Sequence, residues 1–321
     1  MPPRPGRRIL ITVVLAVFVF AALSLLSDVR ALGSSLSSFT WRSLGIALAL
    51  VLGNYALRFM RWQYYLRHLD VQVPATTSAL VFLAGFVMSV TPGKMGELFK
   101  SLLLYEYRGI GIARTASVVV AERLLDLVAL VFLVSLGSTA FEHGRAVAVV
   151  GGLVVLAIVL GCTVRPLGEF VLGRLARFRA GARIVPKLRE AYIALQALTR
   201  PVPFAIGGVY ALFGWTLECV ATWFLLDGFA GVGVSWQGAT FGYAAGTLAG
   251  ALAMLPGGLG VAEVGMAGLF RAAAPGLSLP TATAATILVR LSTLWFGVVL
   301  GAVALFVLRA THRKQVRVQD S

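Results

Sequence analysis

Lys94, Glu97, Glu122, Arg123, Asp126, Glu218, Glu263 and Arg290 are ionisable side chains set within, or just inside, long apolar runs of the sequence. At a lipid-facing helix centre each would cost about 2.5 to 3.5 kcal/mol, or roughly 20 to 28 kcal/mol for the whole set. They must therefore face one another or water. Two of them sit beside a repeated pattern: Thr91-Pro92-Gly93-Lys94-Met95-Gly96-Glu97 and Leu255-Pro256-Gly257-Gly258-Leu259-Gly260-Val261-Ala262-Glu263 share a Pro-Gly-x-x-Gly core with a glutamate beyond it. Proline removes a backbone donor and glycine loosens the turn, so the backbone opens at both places. Open backbone at membrane depth persists only where protein or a water-filled cavity surrounds it. Each stretch reads as the tip of a re-entrant helical hairpin, built on Pro92, Gly93 and Gly96 in the first and on Pro256, Gly257, Gly258 and Gly260 in the second.

The chemistry these residues offer is recognition of an anionic group. Arg290 lies about nine residues, roughly 14 Å at helical rise, from the outer end of the final apolar run. A guanidinium at that depth suits a phosphate, because it stays charged and holds two oxygens at once. Backbone N–H groups opened after each tip add positive potential there. The competing reading is a structural Glu263–Arg290 ion pair. Glu122, Arg123 and Asp126 occupy one turn, with Arg123 and Asp126 three residues apart and Glu122 and Asp126 on a shared face. They read either as a salt-bridged brace near the cytoplasmic interface or as part of a polar path. The candidate path is Lys94, Glu97, Glu122, Arg123, Glu263 and Arg290, and its ligand is an amphiphile with an anionic group.

The elements that must position these groups follow from composition. The chain has 321 residues, 59% of them hydrophobic and 13% charged, with a mean hydropathy of +0.88, which is more apolar surface than a soluble domain of this length can bury. The net charge of +15 is spread in groups between apolar spans, which argues for membrane topology and against nucleic acid. Cys162 and Cys219 fall in apolar segments, and His68, His143 and His312 lack ligand spacing, so neither a metal nor another cofactor is expected. No hydrolase, nucleotide or zinc-protease motif occurs, and the expectation is a transporter and not an enzyme.

Read in order, Ile9 to Leu26 is a first span behind Arg4, Arg7 and Arg8, with a cleaved signal peptide as the alternative. A second span, about Trp41 to Tyr65, ends in Arg58, Arg61 and Arg67 as its cytoplasmic flank. Residues 76 to 107 form the first hairpin, dipping from the cytoplasm. Spans follow at about Thr115 to Ala140, Ala146 to Val164 and Phe204 to Leu226. The basic segment 165–203 is cytoplasmic by its arginines and reads either as a helix lying on anionic lipid or as a solvated linker. A second hairpin, from Gly238 to Ala273, dips from outside, and the last span, about Thr281 to Leu308, leads to a basic tail.

Trp62, Pro92 and Arg123 correspond to Trp223, Pro256 and Arg290 at offsets of 161, 164 and 167 residues, with Lys94 replaced by Gly258. The predicted fold is an all-α polytopic membrane protein with about six full transmembrane helices plus two re-entrant helical hairpins arranged as inverted repeats. Residues 1–321 form one integral membrane domain, with a first repeat at 41–140, the basic loop at 165–203, a second, inverted repeat at 204–308 and a basic cytoplasmic tail at 309–321.

The ordered set of Arg61-Trp62, Thr91 to Glu97, Glu122-Arg123-Leu124-Leu125-Asp126, Leu255 to Glu263, and Arg290-Leu291 with Trp295 resembles the lysylphosphatidylglycerol synthase transmembrane-region family, which includes the flippase domain of the multiple peptide resistance factor. The resemblance implies a lipid flippase or transporter of the cytoplasmic membrane, and the basic flanks put both termini of the multi-pass chain inside. Its substrate would be a lipid with an anionic headgroup, an aminoacylated lipid or a polyprenyl phosphate. With the sequence ending at Ser321 and no aminoacyltransferase domain in it, the synthase activity is not carried over. Membrane lipids are the expected partners, with anionic lipid contact through 165–203 and no nucleic acid. The alternatives are an intramembrane lipid- or glycan-modifying enzyme using Glu97 or Glu263 as base, or a membrane partner subunit.

Overall fold

The computed structural model describes residues 29–90, 97–141, 144–177, 179–253 and 255–319. The expected span at Ile9 to Leu26, the first tip (Pro92, Gly93 and Gly96), Lys94 and His143 lie outside the described residues. Every element within them is helical. In chain order they are α1 (Val29–Ser37), α2 (Trp41–His68), α3 (Ala75–Ala84) running into a 3-10 turn (Gly85–Met88), α4 (Phe99–Arg108), α5 (Ile112–Gly137) and α6 (Gly144–Thr163). Then come α7 (Arg165–Ala176), α8 (Arg179–Leu198), α9 (Pro201–Asp227), α10 (Trp236–Leu252) and α11 (Val261–Ala273). The last apolar stretch is α12 (Leu279–Arg290), a π turn (Leu291–Trp295) and α13 (Phe296–Gln319).

Among the described residues, four helices are long and apolar enough to cross a membrane: α2, α6, α9 and the continuous stretch Leu279–Thr311. The 26 residues of α5 would also reach across by length, about 39 Å at helical rise, but Glu122, Arg123 and Asp126 lower its apolar content. The limbs at the two Pro-Gly stretches are shorter. Ala75–Met88 is apolar but short, a helix of 10 residues and a 3-10 turn of 4, and α10 and α11 have 17 and 13 residues, below the roughly 20 needed to span. Local sequence sets the helix starts. Ser235 accepts the Gly238 N–H at 3.1 Å to begin α10, and Ser278 accepts the Thr281 N–H at 3.2 Å to begin α12. Pro201, whose missing N–H has no helical partner to lose, opens α9.

The packing pairs elements from the two halves of the chain. Helix α2 lies along α9; α5 packs on α10, and α13 packs on α3 and its 3-10 turn; α4 touches α5, and α11 touches α12. Between apolar helices in lipid, close approach and interhelical hydrogen bonds drive association. Gly214 of α9 shows how: a Cβ there would lie 2.6 Å from the Asn54 side-chain oxygen of α2. By contrast α6 fully buries only Gly144, Ala148 and Val155, with Ile158, Val159 and Cys162 half-buried against the core and most of its other apolar side chains exposed.

The basic segment is not a solvated linker. It folds into α7 and α8, and α8 packs on α5 with Leu195 and Leu198 buried. Its outer face keeps Leu167, Phe170 and Ile193 exposed beside Arg174, whose guanidinium stacks on the Phe170 ring at 5.1 Å.

Candidate functional site

Helices α2, α4 and α5 carry an alternating chain of charges. Arg58 reaches Glu97 at 3.7 Å, Glu97 reaches Arg123 at 3.0 Å, and Arg123 reaches Asp126 at 2.8 Å. Asp126 also binds Arg61 at 2.9 Å, Arg61 approaches Glu122 at 3.9 Å, and Glu122 ends on Lys100 at 2.8 Å. Each carboxylate is thus shared by two cations. The terminal cations rest on aromatic faces: Arg58 over Phe86 at 5.4 Å, and Lys100 over Trp62 at 4.5 Å and Phe82 at 5.2 Å. Gly85 makes room for the Lys100 stem, because a Cβ there would lie 2.5 Å from Lys100 Cγ.

Arg58 and Arg61, expected as a basic flank of the span, are drawn into this network. Helix α2 runs on to His68, and Arg61 is fully buried. A position near a span end suggested solvent, but Glu97, just before α4, and Glu122 and Asp126 on α5 turn these arginines inward. Glu122 and Asp126 share the Arg61 guanidinium, as their common face implies. Glu122 is 1% exposed and lines neither cavity described below, so it belongs to the brace.

The second tip is built differently. Gly257, Gly258 and Gly260 have φ of 62°, 70° and 87°, values that strain any side-chain-bearing residue. The turn they allow aims the Gly257 carbonyl at Arg290, which donates to it at 2.6 Å, while Arg290 Nε meets Glu263 at 2.6 Å. The other Glu263 oxygen accepts the Gly260 N–H at 2.7 Å and so satisfies the start of α11. The donor expected to be open to an anion after this tip is therefore filled by the protein's own carboxylate. Glu263 is fully buried and lines neither cavity; its role is to hold Arg290 and the tip.

Arg290 faces space. A cavity of about 160 Å³ lies between α5, α10, the second tip and Arg290, with Arg123, Asp126, Trp215 and Thr247 in its wall. A smaller one of about 60 Å³ is lined by Arg58, Glu97, Glu218 and Tyr243. Arg290, Trp215, Thr247 and Leu294 line both, so the two cavities adjoin and make up a polar space with a partly apolar wall. The buried Thr247 hydroxyl has no hydrogen-bond partner among the described residues. Val90, just before the first tip, packs on Leu259, and a Cβ on Gly257 would lie 2.9 Å from Val90 Cγ1. The approach to the first tip thus meets the second tip beside the polar space.

Of the predicted path residues, Glu97, Arg123 and Arg290 line this space, whereas Glu122 and Glu263 stand behind it. Asn54 and Tyr243, which both donate to Glu218 and tie α2 and α10 to α9, were not singled out from sequence. Thr247, Trp215 and Lys100 were not either, and Arg58 was read only as a flank. An Asn inside an apolar helix is the one signal that could have marked Asn54; the others lack any local pattern.

A helical multi-pass membrane protein with a charged, partly hollow interior is the class these features define. Over residues 9–301 the sequence matches the lysylphosphatidylglycerol synthase TM region, and the chain belongs to that family. It is also 26% identical over 281 residues to a UPF0104 membrane protein of Methanothermobacter thermautotrophicus, covering 82% of each chain.

Proposed function

We propose that the protein is a lipid flippase or transporter of the cytoplasmic membrane, moving a lipid whose headgroup carries a phosphate or a comparable anion, without altering it covalently. The observation that carries this reading is the polar space lined by two guanidiniums, Arg123 and Arg290. A headgroup passing there would exchange water for charge-assisted hydrogen bonds, while its tails stay in hydrocarbon. The Thr247 hydroxyl, without a partner among the described residues, adds a neutral hydrogen-bonding group to the same wall. Aminoacylated, simple anionic and polyprenyl-phosphate lipids share this anionic chemistry.

The reading includes six spans, two re-entrant hairpins and an inverted duplication. The crosswise packing of α5 on α10 and of α13 on α3 supports it, since a two-fold relation between halves would exchange one contact for the other. The same reading puts both termini in the cytoplasm by the positive-inside rule, with α7 and α8 against the anionic leaflet through Arg174, Lys187 and the exposed Phe170.

The test is reconstitution into proteoliposomes with headgroup-labelled phosphatidylglycerol, lysyl-phosphatidylglycerol or undecaprenyl phosphate, measuring label accessible from outside over time. The expected result is protein-dependent movement of at least one of them. Rates equal to those of protein-free liposomes for all three would overturn the proposal, and recovery of covalently changed lipid would favour an intramembrane enzyme.

A further inference from the structure

A third cavity, of about 180 Å³, lies between α2 and α3 and is lined by Tyr55, Ala56, Phe59, Ala79, Phe82 and Leu83. Its lining is apolar except for the Tyr55 hydroxyl, which already donates to the Thr293 carbonyl at 2.6 Å. Nothing in this groove is free to hydrogen-bond, so it suits hydrocarbon. Phe59 and Phe82, with ring centroids 5.6 Å apart, supply flat walls, and the two alanines keep it open.

The groove borders the polar space. Tyr55 lines both the groove and the smaller polar cavity, and its ring packs on Phe86 at 4.8 Å. Phe86 lines the polar side too and carries the Arg58 guanidinium over its ring. A two-ring partition therefore separates an apolar slot from a charged chamber, where Arg58 and Arg290 stand with Glu97 and Glu218. The pair matches an amphiphile in two parts, tail on one side and anionic headgroup on the other. The helices forming the slot are α2, one of the membrane-crossing candidates, and the apolar Ala75–Met88 limb, so the surrounding bilayer supplies the hydrocarbon.

We propose that this groove is a tail-binding site for one acyl chain of a phospholipid whose headgroup enters the Arg58–Arg290 chamber past Tyr55 and Phe86. The proposal rests on the transport reading and adds where the substrate is held from its apolar end. Tyr55 is then a positioning residue: its bond to the Thr293 carbonyl ties α2 to the π turn directly after Arg290, so tail occupancy and the tip are mechanically linked.

The experiment uses the full chain in nanodiscs containing phosphatidylglycerol with a diazirine at mid-acyl chain. Cross-linked peptides are mapped by mass spectrometry, with and without a 100-fold excess of unlabelled lipid. The expected result is saturable labelling of peptides spanning Ala56–Phe59 and Ala79–Leu83, reduced at least tenfold by Ala79→Phe, while non-saturable labelling of outward-facing Gly144–Thr163 is unchanged. Ala56→Phe, on the opposite wall, reads the same quantity should Ala79→Phe fail to fold. Labelling at α2 and α3 that is non-saturable, or unmoved by both substitutions, would mean ordinary boundary lipid and overturns the site. Saturable labelling without translocation by the wild type sinks the transport reading and keeps the groove. Translocation without saturable labelling does the reverse.

Discussion

The α2–α4–α5 charge chain and the second tip solve the same problem, ions in an apolar interior, in opposite ways. In the first, three carboxylates are each shared by two cations, and the ends rest on aromatic rings. No single bond carries the arrangement. In the second, one carboxylate meets one guanidinium, and that guanidinium also holds a backbone turn and faces a cavity. Redundancy makes a brace, whereas a one-to-one pair beside open space leaves a charge that a ligand can engage.

The largest effect that would test this contrast is expected from Glu263→Ala. It strands the buried Arg290 charge and the Gly260 N–H together, and should cost about 3 to 5 kcal/mol. A thermal or denaturant unfolding midpoint in detergent would report it, and a wild-type midpoint would mean that the tip does not depend on this pair. Next comes the double substitution Glu263→Gln with Arg290→Met, which keeps the cap and removes both charges. Because a buried pair is often replaced at little cost, stability should stay within about 2 kcal/mol, while translocation falls roughly 100-fold, equivalent to about 2.7 kcal/mol of lost barrier stabilisation. Retained flux would remove Arg290 from the path.

The matching change in the brace is Lys100→Met with Glu122→Gln. Its expected outcome is a folded protein, since Asp126 still binds Arg61 and Arg123, with translocation within about threefold of wild type, or roughly 0.6 kcal/mol. A loss as deep as the tip double mutant would erase the distinction between the two regions. Smallest of all is Arg189→Ala, which breaks the exposed pair with Glu169 at 3.1 Å between α7 and α8. Its effect on unfolding should be below about 1 kcal/mol and should vanish in high salt.

Much of the helical layout was legible in the chain. Hydropathy located α2, α6, α9 and the final apolar stretch, and the second Pro-Gly pattern located a turn with three glycines at positive φ. Spacing also foretold the Arg123–Asp126 pair, because residues three apart on a helix are neighbours. Arg58 and Arg61 turn inward for a physical reason: a basic residue near the end of an apolar run pairs inside the protein where acids are folded against it, and those acids come from elsewhere in the chain. Glu218 could be noticed as an ion in an apolar span, but its donors come from Asn54 on α2 and Tyr243 on α10. No periodicity along one helix encodes that meeting.

What the sequence alone determined was the inventory: which segments are apolar enough to form spans, where the backbone must break, and which ions need shelter, all consequences of composition and short-range spacing. Tertiary structure decided the partners. It fixed that Glu263 closes on Arg290 and caps its own helix, that Glu122 falls into the brace, and that Arg123 and Arg290 look into common space. The reason is that ion pairing at a few ångströms depends on how helices cross, and crossing is set by side-chain packing between segments far apart in the chain.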